Sequence, residues 1–195
     1  MNIKGQLDPI LEKWDLLKHP FYEAWSAGTL PMEALRVYAR EYEGFISTLP
    51  LGWENLKDEA TAEEEREHAE MWAGFRSVIG EGDDMRTVPQ AEQRALTARE
   101  LFTSPASALG ALYAFERQQP ATAQSKLEGL QSFYGFAEEP YFKAHSSNWH
   151  ESEKILKQME ALSPADQQEA RLACERMAAA LWDALSGIHS ATCKD

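Results

Sequence analysis

Cysteine and basic residues are scarce in this sequence, and both shortages narrow the classes of protein to which it can belong. The 195-residue chain has only two cysteines, Cys174 and Cys193, and they are not in a CxxC pair, so we expect no disulfide framework. Lys and Arg number 19 against 32 Asp and Glu, which gives a net charge of −13. Nucleic acids and anionic membrane surfaces are bound through clustered Lys and Arg, so we expect neither as a partner.

Long apolar runs and strand-like alternation are also missing. The apolar runs are only a few residues long, whereas a helix that spans a bilayer needs about 20. The N-terminal residues MNIKGQLDPILEKW lack the apolar core and cleavage site of a signal peptide. We therefore expect a cytoplasmic protein, and the length fits one domain over residues 1–195.

Helical periodicity, in contrast, runs through the chain. Leu35, Tyr38, Tyr42, Phe45 and Leu49, for example, recur at the spacing of one helix face. Several such segments follow one another without a convincing strand pattern between them. About seven or eight helices in one acidic domain predict an all-α bundle.

Local signals suggest where these helices begin and end. Pro50 is expected to end the helix that contains Leu49, and Thr61 with Glu64 has the pattern of a capping box. Pro120 is expected to bend or divide the helix in which it lies. Residues 81–90, EGDDMRTVPQ, form the clearest predicted loop.

Candidate metal ligands occur on three of the predicted helices. His68 shares a helix face with Glu64 or Glu65, which precede it by four and three residues. Glu116 has apolar neighbours in the sequence, which favours an inward carboxylate that needs a partner or a raised pKa. His145 lies at helical spacing from aromatic residues, so it is also expected to face inward. Nonheme iron sites in bundles use histidines and carboxylates that project inward in this way.

Each candidate also has a purely structural interpretation. The EEEREH run fits a solvated charged face, and Glu116 fits a buried ion pair with Lys126 or an arginine. His145 fits a core histidine that donates to a backbone carbonyl. His150 lies about 140° round the helix from His145, so the two are not a chelating pair. His150 and its neighbour Glu151 are expected to face elsewhere unless the helix is locally irregular.

Several blocks of the sequence resemble the heme-oxygenase-like proteins of the TenA, PqqC and CADD type. These blocks are HPFYEAWSAGTLPMEALRVYAREYEGFISTLP, ENLKDEATAEEEREHAEMWAGFRSVIG, ALGALYAFERQQPATAQSKLEGLQSFYGF, YFKAHSSNWHESEKIL and AAALWDALSGI. They follow the order of the family over most of the chain and are most similar to its CADD-like, iron-containing redox enzyme branch. The resemblance implies a heme-oxygenase-like bundle of about seven helices around a central pocket, which holds two metal ions in the iron-using members.

The resemblance also implies a set of metal ligands. The iron-using members have a glutamate and a histidine on one helix, a glutamate on a kinked helix, and an H-x3-D-x2-H motif on a later helix. His68, Glu116 and His145 match three of these positions. The last two positions of the motif are Trp149 and Ser152, which are not normal iron ligands, so the motif is remodelled in this chain.

Other positions that match the family are less firmly fixed by the sequence. The first glutamate ligand is one of Glu59, Glu64 and Glu65, and spacing does not choose between them; we take Glu65 with the three matching ligands as the expected set. Members that form 4-aminobenzoate also use a tyrosine and a lysine. Tyr22 and Lys126 stand at the matching positions and are the expected catalytic residues.

The remaining candidates are expected near the substrate. Glu41 lies in YAREY, which resembles the segment that carries the catalytic aspartate of TenA, so Glu41 is a third expected catalytic residue. Tyr42, Trp72, Tyr113 and Trp149 are the aromatic side chains expected to line the pocket.

Three functions remain open from the sequence. The first is an oxidoreductase that uses iron or manganese on a small, possibly aromatic metabolite in cofactor or secondary-metabolite biosynthesis. The second is a metal-free pocket enzyme of the PqqC or TenA kind, which requires a cavity of organic size. The third is a non-catalytic binding protein, in which aromatic residues such as Trp149 and Trp72 fill the pocket. All three imply a small-molecule partner, and a homodimer is the base-rate expectation.

Overall fold

The computed structural model describes residues 2–82, 87–136 and 139–193, and within these ranges the chain is helical with no strand. The α-helices are α1 Ile3–Lys13, α2 Pro20–Ser26, α3 Met32–Ile46, α4 Leu49–Asn55, α5 Glu59–Ile79, α6 Pro89–Leu101, α7 Pro105–Glu116, α8 Gln119–Gly129, α9 Pro140–His145, α10 His150–Glu160 and α11 Pro164–Thr192. A 3₁₀ turn covers Leu16–Lys18 and a π-helical turn covers Leu130–Tyr134. The all-α prediction is confirmed. Of the predicted loop at 81–90, residues 83–86 lie outside the described ranges.

The helix count exceeds the expected seven or eight because three long helices are interrupted. Two residues separate α3 from α4 and α7 from α8, and four residues separate α9 from α10. The α7–α8 division agrees with the effect expected of Pro120, which lies in the first turn of α8. The α9–α10 interruption was not predicted, and it decides the geometry of the candidate site.

The last helix, α11, forms the centre of the bundle. It packs along α7 and α6 and also contacts α1, α2 and α3. The closest approach is at Gly110 of α7, where a Cβ atom would lie 1.9 Å from the carbonyl oxygen of Ala170 in α11. Among the residues that the structure describes, no helix has both the length and the apolar character required to cross a membrane.

One of the predicted helix boundaries is wrong, and another is displaced. The N-cap of α5 is Asp58, whose side chain accepts a hydrogen bond from the backbone N–H of Thr61, so Thr61 and Glu64 lie inside the helix and do not form its capping box. The helix that was expected to continue through Leu49 ends at Ile46, so the helical run is broken just before Pro50, as it is before Pro120. Pro50 lies in the first turn of α4, where a backbone N–H has no intrahelical partner to lose, and the chain interruption precedes it.

Candidate metal centre

The interruption between α9 and α10 changes which side chains face the interior. The helix stops at His145, Asn148 N–H donates to the His145 carbonyl, and α10 restarts at His150. On an unbroken helix, residues six apart point about 120° away from each other. Here both His145 and Glu151 are buried. The helix is thus locally irregular, the condition under which the sequence left open an inward direction, and Glu151 is buried whereas His150 is exposed.

Three predicted ligands converge across the contact between α5 and α9. The ligand atoms of Glu65, His68 and His145 all lie within 4.8 Å of one another. His68 Nδ1 is 3.5 Å from Glu65 Oε1. Of the three glutamates that the sequence left open, Glu65 is buried, whereas Glu59 and Glu64 are exposed.

Two further carboxylates, Glu116 at the end of α7 and Glu151 in the first turn of α10, complete the group. They are 6% and 3% exposed, and among the described residues neither Glu116 Oε1 nor Glu151 Oε2 has a hydrogen-bond partner. Burial raises the pKa of Glu116 well above its usual range, and the charges of Glu65 and Glu151 raise it further. Burial also raises the pKa of Glu65. Burial lowers the pKa of His68, but its carboxylate neighbours produce a net upward shift.

This donor set fits a metal cation. Buried carboxylates that lack partners are unfavourable, because desolvation of their charge is not compensated. A divalent ion held by carboxylate oxygens and imidazole nitrogens compensates them, and this mixture of ligands suits iron and manganese.

The tautomer of His145 also fits a metal ligand. Its Nδ1 lies 2.7 Å from the carbonyl oxygen of Tyr141, which can only accept a hydrogen bond, so Nδ1 carries the proton. Burial, followed by the charge of His68, lowers the pKa of His145 to about 3. The ring is therefore neutral, and its Nε2 lone pair is free to bind a metal, as in other histidine ligands oriented by a carbonyl group.

A second group of ligand atoms lies beside the first. One ligand atom each of Glu64, His150 and Glu151 lie within 4.8 Å of one another. Glu64 and His150 are exposed, whereas Glu151 is buried. Glu151 thus belongs to the outer group by distance, while its charge acts on Glu65 and Glu116 of the inner group.

The two predicted catalytic residues, Tyr22 and Lys126, meet in a buried tyrosine cluster. The Tyr22 and Tyr38 hydroxyl oxygens are 2.9 Å apart, and Lys126 Nζ donates to the Tyr38 hydroxyl over 3.1 Å. Burial, with a contribution from the charge of Arg94, lowers the pKa of Lys126 to about 7. The lysine therefore supplies an amine that is partly unprotonated near neutral pH.

The tyrosine cluster extends to the candidate metal ligands. The Tyr42 and Tyr141 hydroxyl oxygens are 3.2 Å apart, and Tyr141 is the residue whose carbonyl orients His145. The Trp72 ring lies 4.6 Å from that of Tyr42 and 4.8 Å from that of Tyr141, measured between centroids. The expected pocket residues Tyr42 and Trp72 thus form the wall between the lysine and the metal ligands.

The other expected site residues lie elsewhere. Glu41 forms an ion pair with Arg40, in which Nη2 and Oε1 are 2.8 Å apart. Tyr113 and Trp149 line a surface groove of about 320 Å³ with Arg117, whose guanidinium lies 5.0 Å from the centroid of the Trp149 ring. Trp149 is 40% exposed, so it fills no interior pocket.

The enclosed cavity beside the tyrosine cluster is small. Its volume is about 10 Å³, and its lining includes Tyr22, Tyr42, Arg94 and Gln119. Such a space holds about one water molecule. An organic substrate does not fit without rearrangement, which weighs against a metal-free pocket enzyme of the expected kind.

The sequence model of a family described as iron-containing redox enzyme matches residues 51–182. The chain belongs to this family. It is 31% identical to the 4-aminobenzoate synthase of Nitrosomonas europaea, over 98% of this chain and 93% of that protein. It is 29% identical to the 4-aminobenzoate synthase of Chlamydia muridarum, over 99% of this chain and 93% of the relative. The predicted family is confirmed.

Solved structures show the same fold at lower identity. A TenA homologue from Pseudomonas syringae pv. tomato superposes with a TM-score of 0.80 at 17% identity, covering 96% of this chain and 93% of that one. A CADD-like protein from Nostoc punctiforme gives a TM-score of 0.65 at 16% identity, covering 98% and 97% of the two chains. The predicted heme-oxygenase-like bundle is confirmed, and this chain shares its fold with both proteins.

Sequence reasoning missed Glu151 because it treated residues 140–162 as one helix. The signal was present in HSSNWH, since Ser and Asn favour turns by hydrogen-bonding to nearby backbone. Ser146 Oγ donates to the Lys143 carbonyl at the interruption, and Asn148 Nδ2 donates to the Glu151 carboxylate. Read as a turn, this motif predicts that the residues after it face a new direction.

Proposed function

We propose that this protein is an oxidoreductase that forms 4-aminobenzoate, using iron or manganese bound by Glu65, His68, Glu116 and His145. The observation that carries the proposal is the convergence of Glu65, His68 and His145 from two helices. Glu116, which has a buried, unpartnered oxygen among the described residues, interacts electrostatically with Glu65. The relatives named 4-aminobenzoate synthase, which match over nearly the whole chain, support 4-aminobenzoate as the product.

When bound, the metal supplies the capacity to react with O2, as in other nonheme histidine–carboxylate sites. The protein supplies orientation. The Tyr141 carbonyl holds the His145 ring with its Nε2 lone pair free, and burial of Glu65 and Glu116 keeps water from competing for the ion.

In this proposal, Tyr22 and Lys126 act on the aromatic molecule that becomes 4-aminobenzoate. Their positions match those of the tyrosine and lysine used by the 4-aminobenzoate-forming members, and both contact Tyr38 through hydrogen bonds. With a pKa of about 7, Lys126 has an amine available as a base or nucleophile at neutral pH.

Metal analysis combined with product detection tests this function. The protein is loaded without oxygen with Fe²⁺ and Mn²⁺, freed of excess metal, and exposed to O2 with a reductant, an amino donor and candidate small aromatic substrates. We expect bound metal and 4-aminobenzoate, identified by mass spectrometry. The His145→Ala variant should lose both, whereas His189→Ala, outside the ligand group, should keep both.

Two results contradict the proposal in different ways. A wild-type protein that retains no metal rejects the metal-dependent mechanism. If the protein binds stoichiometric metal and consumes O2 but forms no 4-aminobenzoate, the oxidoreductase activity is supported and 4-aminobenzoate is rejected as its product. The cytoplasmic location and the homodimer remain predictions, and size-exclusion chromatography with light scattering tests the latter.

A further inference from the structure

The side chain of Arg94 on α6 is a buried cation without an acidic partner. The residue is only 1% exposed, and no carboxylate in the described ranges forms an ion pair with it. Its Nη2 donates to the backbone carbonyl of Glu41 over 2.9 Å, but the Glu41 carboxylate is paired with Arg40. Its Nε is buried and has no hydrogen-bond partner among the described residues. One N–H donor of the guanidinium is therefore open to an acceptor that this part of the chain does not provide.

The surroundings of Arg94 hold its guanidinium in place but leave its charge uncompensated. The carbon Cζ lies 5.0 Å from the centroid of the Phe45 ring and 5.4 Å from that of the Tyr42 ring. Such rings attract a cation but bring no net negative charge. Burial, followed by the charge of Arg94, lowers the pKa of Lys126 to about 7. Two basic groups in one part of the core favour a bound anion, because a buried charge without a partner is unfavourable.

Arg94 also borders a surface groove between α6 and α11. The groove has a volume of about 320 Å³, and its lining includes Gln93, Arg94 and Thr97 of α6 and Ala179, Ala180 and Asp183 of α11. This volume lies in the range of sites for small organic ligands. On its other side, Arg94 lines the enclosed cavity beside Tyr22 and Tyr42. The guanidinium thus lies between the groove and the buried tyrosine cluster.

The charges around the groove favour a ligand whose inner end is a carboxylate. Arg176, which also lines the groove, pairs with Glu100 through Nη2 and Oε2, which are 2.8 Å apart, whereas Arg94 has no such partner in the described structure. Asp183 is exposed, so water screens its repulsion of an anion, and its carboxylate can accept from an amino group. The small side chains of the two alanines leave room for a ring.

We infer that the groove between α6 and α11 binds a small aromatic carboxylate, whose carboxylate group accepts a charge-assisted hydrogen bond from Arg94. This inference rests on the proposed function for the identity of the ligand, because 4-aminobenzoate has a carboxylate at one end and an amino group at the other. Bound in the groove, this product lies next to the cluster in which the proposed function forms it. Its carboxylate supplies the negative charge that Arg94 lacks.

Binding of 4-aminobenzoate to the protein as purified, in the absence of O2, tests the inference without turnover. Isothermal titration calorimetry is carried out with 4-aminobenzoate and with 4-aminobenzamide, an uncharged analogue of nearly the same shape. We expect wild-type protein to bind the carboxylate about tenfold or more tightly than the amide. Arg94→Gln should remove this preference, whereas Arg99→Gln, which changes an exposed arginine of the same helix, should match wild type.

A second variant tests the groove while Arg94 stays in place. Ala179 is half-buried and lines the groove, so Ala179→Leu should fill part of it and weaken 4-aminobenzoate binding by about tenfold. Ala165→Leu, at an exposed position near the start of α11, is the matched control. Circular dichroism checks the fold of each variant. If Arg94→Gln does not fold, the ligand preference of wild-type protein and the effect of Ala179→Leu decide the question.

The remaining outcomes separate this inference from the proposed function. Equal affinity of wild-type protein for the carboxylate and the amide, or binding that Ala179→Leu leaves unchanged, overturns the groove as the site. A protein that forms 4-aminobenzoate with O2 but does not bind it in the titration overturns this inference and keeps the proposed function. Conversely, binding that depends on Arg94 in a protein that forms no 4-aminobenzoate keeps the carboxylate site and rejects the proposed product.

Discussion

The imidazole rings of His68 and His145 lie against each other across the contact between α5 and α9, with their centroids 4.2 Å apart and their planes tilted by 58°. Two neutral imidazoles at this distance tolerate each other, but two imidazolium ions would repel. Burial, followed by the charge of His68, lowers the pKa of His145 and keeps its ring neutral, and the hydrogen bond from Nδ1 to the Tyr141 carbonyl fixes its tautomer. In the proposed function, the two rings therefore lie where both can bind a cation.

Replacing Glu116 should stabilise the metal-free protein. Its buried Oε1 lacks a partner in the described chain, and its carboxyl group lies near those of Glu65 and Glu151. Glu116→Gln removes the ionisable group from this environment, and we expect a rise of about 1 kcal/mol in the free energy of unfolding. Urea denaturation at neutral pH with a chelator measures it, and Glu67→Gln on the surface of α5 is the control. A loss of stability in Glu116→Gln would show that the carboxyl group is structurally satisfied.

The free energy of unfolding should rise with pH because the pKa of Lys126 is lower in the folded protein than in the unfolded chain. This pKa is about 7 in the folded protein, below the ordinary lysine value, so between these two pKa values the unfolded chain binds a proton that the folded chain does not. The destabilisation from burying Lys126 is greatest below pH 7 and declines as pH rises. We expect Lys126→Met to be more stable than wild type near pH 6, with that advantage reduced by on the order of 2 kcal/mol near pH 9. An advantage independent of pH would contradict the lowered pKa.

The crossing of α7 and α11 should not tolerate a methyl group. At Gly110 a Cβ atom would lie 1.9 Å from the backbone oxygen of Ala170, and helix backbones cannot separate without disturbing the core. Gly110→Ala should therefore cost about 3 kcal/mol or more. Gly74→Ala is the matched control, because in the described structure no atom lies within 4 Å of its Cβ position, and it should gain about 0.5–1 kcal/mol from helix propensity. Similar denaturation midpoints for the two variants would contradict the close contact of Gly110 with the Ala170 backbone.

Tyr22 should be needed for product formation and not for metal binding. Its hydroxyl contacts Tyr38, which keeps a second partner in Lys126, so Tyr22→Phe should fold normally. We expect 4-aminobenzoate formation to fall about 100-fold or more, with metal content unchanged. Tyr113→Phe, a buried tyrosine outside the cluster, should retain activity. Equal activity of the two variants would show that the Tyr22 hydroxyl takes no part in the reaction.

The sequence predicted the parts of the fold that depend on local signals. The α7–α8 division follows from Pro120, because proline removes a backbone donor and clashes with the preceding turn wherever it occurs in a helix. Likewise His68, Glu116 and His145 were found from their residue types, their apolar neighbours and the family resemblance. Such inferences need no knowledge of distant contacts.

The α9–α10 interruption depends on contacts that the local sequence does not contain. No proline lies within residues 146–149, and the turn is maintained partly by Lys154, which binds Asp58 and Thr61 far away along the chain. The inward direction of Glu151 is a product of this tertiary contact. Helical periodicity alone therefore assigned Glu151 to the wrong face.

Gln118 lies in the two-residue interruption between α7 and α8, immediately after the segment that ends with Glu116. Its Oε1 accepts from the backbone N–H of Leu16, 102 residues earlier, over 2.9 Å, and its Nε2 donates to the Ala114 carbonyl over 3.1 Å. The Gln118 side chain thus satisfies a carbonyl that the end of α7 leaves open and ties the N-terminal segment to the interruption. The proposed ligand Glu116 therefore lies two residues from a contact that fixes the N-terminal segment, so docking of that segment helps to hold this end of α7 in place.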